Sequence, residues 1–158
     1  MSWGILAWLL PAVMGALLVS AGIEDVRTRE IANWKNAAIA LLAPLWWVSI
    51  GLDPWPAMIG QVLIAAVVFG LFVCAFALGQ MGGGDVKMIG ALALWLTPLR
   101  LLDMLLAMAV IGGALTLAML IERRVRRSGA AIEVPYGVAI ALAGLLALRE
   151  PLLNQFTQ

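Results

Sequence analysis

Apolar runs alternate with short polar segments along the whole chain. A transmembrane helix needs about 20 mainly apolar residues, within a range of about 17–25. Four runs approach or meet that length, namely 3–22, 36–52, 57–79 and 100–121. Two shorter runs cover residues 86–98 and 134–149. Prolines and a run of three glycines, residues that interrupt helices, lie between several of them. The pattern predicts a single all-α domain over residues 1–158, with about six transmembrane helices.

The run 86–98 is the shortest of the six. Its length corresponds to about 20 Å of helix, which is less than the hydrocarbon thickness of a bilayer. We expect this helix to be tilted within locally thinned lipid or to be sheltered by its neighbours.

Composition excludes a water-soluble domain. Hydrophobic residues make up 64% of the chain, charged residues make up 12%, and the mean hydropathy is +1.03. Soluble domains contain about 45–50% apolar and about 25% charged residues. Lipid must therefore be the solvent for much of the surface. A net charge of +1 does not suggest a nucleic-acid partner.

The positions of the basic residues predict an orientation. Eight of the ten lie in the segments 23–35, 80–88 and 122–133, whereas Arg100 and Arg149 lie on the other side. Basic loops stay in the cytoplasm, so these three segments are expected there and both termini outside. The seven tryptophans, including Trp46 and Trp47, are expected at the membrane interface or facing lipid.

Residue types limit the possible chemistry. Histidine is absent and Cys74 is the only cysteine. A histidine base, a histidine metal ligand, an internal disulfide and a cysteine zinc site are therefore excluded. Cys74 lies in an apolar run, so we expect it to be a small buried residue.

Acidic residues cluster where two predicted spans meet the cytoplasm. Glu24, Asp25 and Glu30 follow the first span, and Asp85 precedes the fourth. Ionisable groups at membrane depth are candidates for function. A pair of carboxyl groups can hydrolyse a peptide without metal or cofactor, since one takes a proton from water while the other donates one. The alternatives are the ion site of a small proton- or ion-coupled transporter, and an inactive assembly scaffold.

Three motifs carry a resemblance to a known family. Residues 82–87, GGGDVK, resemble the GxGD motif of membrane aspartic proteases in the form typical of prepilin peptidases. Residues 25–34, DVRTREIANW, resemble that family's first catalytic motif, with Ala32 where proline is usual. Residues 135–141, PYGVAIA, match a sequence before the last helix in short peptidases of tight-adherence (Flp) pilus systems.

The resemblance implies roles for particular residues. It makes Asp25 and Asp85 the catalytic pair. Glu24 lies one position before the aspartate of the motif, and adjacent helix positions do not share a face, so Glu24 is not the catalytic residue. The glycines Gly82, Gly83 and Gly84 would shape the loop that carries Asp85. The supporting candidates are Lys87, Asn33, Pro135 and Tyr136.

The resemblance also implies a substrate and a location. The substrates would be prepilins or pseudopilins of the Flp class, with a short basic leader, cleavage after glycine and an apolar helix beyond. The enzyme would lie in the bacterial inner membrane with its active site facing the cytoplasm. Larger family members carry paired CxxC motifs and methylate the new amino terminus. Cys74 is the only cysteine here, so we expect a peptidase without methyltransferase activity.

Helix dipoles suggest which aspartate holds a proton. Asp25 follows the first span, near the negative end of a helix, and Asp85 precedes the fourth, near a positive end. Arg27 and Arg29 oppose this effect, but their charges should be screened. We therefore expect Asp85 to be mainly the carboxylate and Asp25 mainly the acid.

Overall fold

Most of the described part of the chain is helical. The structure, a computed structural model, describes residues 3–126 and 134–148. It contains no strand in these residues, which confirms the predicted all-α class. The helices are α1 (Trp3–Thr28), α2 (Asn33–Ser49), α3 (Ile59–Ala77), α4 (Gly83–Ala93), α5 (Pro98–Arg126) and α6 (Tyr136–Ala147), with a short helical turn at Pro54–Met58 before α3.

Among the described residues, three helical segments are long and apolar enough to cross a membrane, namely Gly4–Thr28, Pro54–Ala77 and Pro98–Arg126. Many large apolar side chains on α3 and α5 are exposed, as expected for helices that face lipid. The helices α2, α4 and α6 contain 17, 11 and 12 residues. The fold is that of a helical membrane protein, and six complete crossings stay a prediction.

Several helix ends differ from the boundaries of the apolar runs. α1 continues to Thr28, so Asp25 lies on the helix rather than in the loop after it. α5 continues to Arg126, so the first part of the basic segment 122–133 is helical; residues 127–133 lie outside the described residues. α4 begins before Asp85 and ends at Ala93. Hydropathy marks the apolar part of a helix, whereas polar turns can extend the same helix into the interface.

α4 is the most enclosed of the short helices. It packs against α2, α3 and α6. Six of its eleven residues are buried, including Met88, Ile89 and Leu92. Neighbouring helices therefore shelter α4, which is one of the two solutions expected for its short length.

Side chains cap the carboxyl end of α4. Gln61 donates a hydrogen bond from Nε2 to the carbonyl of Ala93 at 2.8 Å and another to the carbonyl of Leu96. Trp47 donates from Nε1 to the carbonyl of Leu94 at 3.0 Å. The last carbonyls of a helix have no partners within it, and in lipid they must find partners elsewhere. These side chains allow an eleven-residue helix to end inside the bundle.

The expected positions of Trp46, Trp47 and Cys74 are wrong. Trp46 and Trp95 are fully buried and stack with ring centroids 5.4 Å apart, and Trp47 is 3% exposed. Buried indoles are stable here because their N–H groups donate to backbone carbonyls, in Trp95 to Ile39 at 2.9 Å. Cys74 is exposed on α3 rather than buried. Composition could not show which apolar residues face the bundle.

Candidate active site

Both candidate aspartates line one cavity at an end of the bundle. Asp25 lies in the last turn of α1, and Asp85 lies in the first turn of α4. The cavity has a volume of about 310 Å³. Its lining consists of Asp25, Arg29, Glu30, Ile31, Asn33, Gly82, Gly83, Gly84 and Asp85. The structure therefore brings together the two aspartates and the three glycines singled out from the sequence.

The start of α6 holds Asp25. The carboxylate is buried, with Asp25 only 5% exposed, and its Oδ2 accepts a hydrogen bond from the Val138 N–H at 3.2 Å. That N–H is shared with the carbonyl of Pro135 at 3.1 Å. The first N–H groups of a helix lie at its positive end and favour a negative partner. The amino end of α6 therefore favours the charged form of Asp25, whereas the burial of this side chain disfavours that form.

A glycine is required next to Asp25. A Cβ added at Gly137 would lie 2.8 Å from Asp25 Cγ and 2.7 Å from Ile31 Cδ1. Ile31 also packs against the start of α4, since a Cβ at Gly84 would lie 3.4 Å from Ile31 Cβ. Ile31 thus fills the space between the starts of α4 and α6. Sequence reasoning missed Ile31, Gly137 and Val138, although each lies within a quoted motif.

Asp85 also lies in an unfavourable place for a charge. Burial, together with the negative charge of Asp25, raises the pKa of Asp85 to about 6, and the backbone N–H of Gly82 opposes both effects. At Asp85 the positive helix end therefore does not outweigh burial and the neighbouring charge, and which aspartate of the pair holds the proton stays a prediction. The sequence argument considered only the helix that carries each aspartate, and it omitted burial and the amino end of α6 beside Asp25.

Glu24 has a structural setting distinct from that of Asp25. Its Oε2 accepts the Ala32 N–H at 3.1 Å and pairs with Lys35 Nζ at 2.9 Å. Lys35, which is buried, also donates to Ser20 Oγ at 2.8 Å. These contacts tie α1 to α2 across the connection that holds Ile31. The prediction that Glu24 and Asp25 lie on different faces is confirmed, since the two side chains have different partners. The ion pair between Glu24 and Lys35 was not predicted.

The supporting candidates occupy different places. Lys87 donates from Nζ to Asn33 Oδ1 at 2.8 Å, and of these two only Asn33 lines the cavity. Pro135 and Tyr136 begin α6 outside the cavity lining. The Tyr136 ring lies against Gly112 of α5, where an added Cβ would be 3.1 Å from Tyr136 Cε1. Tyr136 therefore packs the amino end of α6 against α5.

A second cavity, which we call the lateral groove, lies between α2, α3 and α4. Its volume is about 500 Å³. Its lining consists of Asn33, Asn36, Ala37 and Ala40 from α2, Val62, Ala65, Ala66 and Phe69 from α3, Lys87, Gly90 and Ala91 from α4, and Leu94 directly after α4. Asn33 is shared with the aspartate cavity. The two cavities are therefore adjacent.

The chemistry available in the aspartate cavity comes from its two carboxyl groups. No group of three or more histidine, cysteine, aspartate or glutamate side chains that could hold a metal occurs in residues 3–126 and 134–148. Two carboxyls in unequal surroundings can divide the roles of general acid and general base. The arrangement is suited to hydrolysis by an activated water.

Comparison with known proteins identifies the family. The model of the type IV leader peptidase family matches residues 12–117, which is more than half of the chain. The matched segment contains Asp25, the three glycines and Asp85, and it ends before α6. Neither a curated protein nor a solved structure matches significantly. The chain belongs to the type IV leader peptidase family.

Proposed function

We propose that this protein is an aspartic endopeptidase of the GxGD type that removes the short basic leader from type IV prepilins or pseudopilins. One observation carries the proposal: Asp25 and Asp85, from two helices far apart in the sequence, line a single cavity within the segment that matches the family. The motif 135–141 favours substrates of the Flp class. The distribution of basic residues favours an active site at the cytoplasmic face of the inner membrane.

The surroundings of the two carboxyl groups suggest their roles. Asp25, which accepts the Val138 N–H, is the general base that takes a proton from water. The resulting hydroxide adds to the scissile carbonyl carbon. Asp85, whose pKa is raised to about 6, supplies the proton to the leaving amine as the C–N bond breaks. Bound substrate would exclude more water and raise the pKa of Asp85 further. This assignment reverses the one expected from helix dipoles alone.

Methyl transfer is not part of the proposal. The larger family members that methylate carry paired CxxC motifs, and Cys74 is the only cysteine in this sequence.

A transporter is also disfavoured. Ion-coupled transporters place acidic groups near the middle of the membrane, whereas the pattern of basic residues predicts that Asp25 and Asp85 lie at its cytoplasmic boundary.

The test is cleavage of an Flp-class prepilin by the purified protein in liposomes. We expect Asp25→Asn and Asp85→Asn each to lower the rate by at least about 10²–10⁴-fold, because the remaining carboxyl cannot act as both acid and base. Glu24→Gln is the matched control. It keeps a side-chain oxygen to accept the Ala32 N–H and should retain cleavage. Near wild-type cleavage by either aspartate variant would refute the assignment of the pair.

A further inference from the structure

We propose that the lateral groove binds the apolar helix that follows the scissile bond of the substrate and thereby places that bond beside Asp85. The inference rests on the proposed function and adds a substrate-binding site to it. Three features of the groove support it: its shape, an unpartnered polar atom, and its junction with the aspartate cavity.

The shape of the groove fits one helix. Each of its three walls contributes residues spaced i, i+3, i+4 and i+7, which is one face of a helix over two turns. The walls are therefore about 10 Å long. Most lining side chains are small, so another helix can approach closely. Phe69 and Val62 are exposed at the rim, which leaves the groove accessible from the side of the bundle.

Asn36, which lines the groove near one end, has a buried acceptor without a partner. It is 4% exposed, and its Nδ2 donates to the carbonyl of Gly84 at 3.1 Å. Its Oδ1 is buried and has no hydrogen-bond partner among the residues that the structure describes. A buried acceptor without a donor is unfavourable by about 1–3 kcal/mol. The first N–H groups of a bound helix are free donors of the kind this oxygen lacks.

The polar end of the groove adjoins the aspartates. Asn33 lines both cavities, and Asn36 bonds to the residue directly before Asp85. A helix seated with its amino end at Asn36 would direct the preceding peptide bond into the aspartate cavity. The apolar part would lie in the membrane and the leader would lie in the cytoplasm. A lipid acyl chain could fill the apolar walls, but it has no donor for Asn36.

The experiment uses two substrates and two matched variants. One substrate is a full Flp-class prepilin, and the other is its leader with four residues beyond the scissile bond. Ala66→Trp fills the groove from an exposed position on α3, and Ala109→Trp makes the same change on the exposed surface of α5, outside the groove lining. Rates are measured as kcat/KM for each variant and for the wild-type protein.

We expect Ala66→Trp to lower kcat/KM for the full prepilin by about tenfold or more. Its kcat/KM for the short substrate should equal that of Ala109→Trp, which shows that the fold and the aspartates are intact. An equal effect of both variants on the full prepilin would overturn the groove assignment. Failure of the wild-type protein to cleave the full prepilin would instead refute the proposed function.

A photo-crosslinking residue at position 66, in an Asp85→Asn background, gives a second measurement. We expect adducts to the apolar helix of the full prepilin, formed near its amino end. The same residue at position 109 should give none. Adducts to lipid alone at position 66 would overturn the proposal, because they would identify an acyl chain as the occupant.

Discussion

At the scale of single residues, Asp85 shows a conflict between stability and function. Burial and the nearby Asp25 raise its pKa to about 6. The unfolded chain holds this proton only below about pH 4. Between these two values the folded state binds more protons than the unfolded state, so this group's contribution to stability falls as pH rises from about 4 to about 6. At neutral pH the ionised carboxylate therefore destabilises the fold.

A neutral side chain at this position should remove that penalty. We expect Asp85→Asn to increase the free energy of unfolding by about 1–3 kcal/mol at pH 7 and to change it little at pH 4. Reversible unfolding in detergent at the two pH values measures this difference. Asp53→Asn, in the exposed turn before α3, should have little effect at either pH. A loss of stability in Asp85→Asn at pH 7 would contradict the raised pKa.

At the scale of elements, α4 is too short to cross a bilayer and yet carries a catalytic candidate. Its eleven residues span about 16 Å. Its amino end contributes Asp85 to the cavity, and its carboxyl end is buried in the bundle. The caps from Gln61 and Trp47 satisfy carbonyls that lipid cannot. A short, enclosed helix of this kind fixes the position of the glycine segment relative to α2, α3 and α6.

Removal of one cap tests this role of the α4 terminus. We expect Gln61→Met to lower the free energy of unfolding by about 1–3 kcal/mol, because the carbonyls of Ala93 and Leu96 lose a buried donor. Gln80→Met makes the same change at an exposed glutamine before α4 and should be nearly neutral. Equal stability of the two variants would show that the cap at Gln61 contributes nothing.

At the scale of the whole molecule, the helix ends that form the site lie at one end of the bundle. The ends of α1, α4 and α6 converge on Asp25, through Val138 and the shared cavity. The positive-inside pattern predicts that this end faces the cytoplasm. The Pro54 turn follows α2 and should lie at the opposite face.

Single cysteines can determine the orientation. The background is Cys74→Ala, which removes the exposed native thiol. A cysteine at Gln80, near the cavity, should react only with reagents applied from the cytoplasm, and one at Pro54 only from the periplasm. Both positions are exposed, so both should label after the membrane is dissolved. Labelling of Gln80 from the periplasm would contradict the predicted side of the active site.

The sequence alone determined the residue types on which the chemistry depends. Hydropathy is a local property, so the apolar runs predicted the six helices to within several residues. Without histidine or a second cysteine, paired carboxyls were the natural candidates, and the motifs singled out Asp25, Asp85 and the three glycines. Each of these conclusions depends on residues that are close together in the chain.

Tertiary structure decided which groups surround those residues. The amino end of α6 lies beside Asp25, more than a hundred residues away in the chain, and supplies it with a hydrogen bond that the sequence argument did not include. The same kind of long-range packing buries Trp46, satisfies the end of α4 with Gln61, and forms the lateral groove from three helices. Burial and hydrogen-bond partners depend on elements brought together by folding. Local sequence patterns do not contain that information.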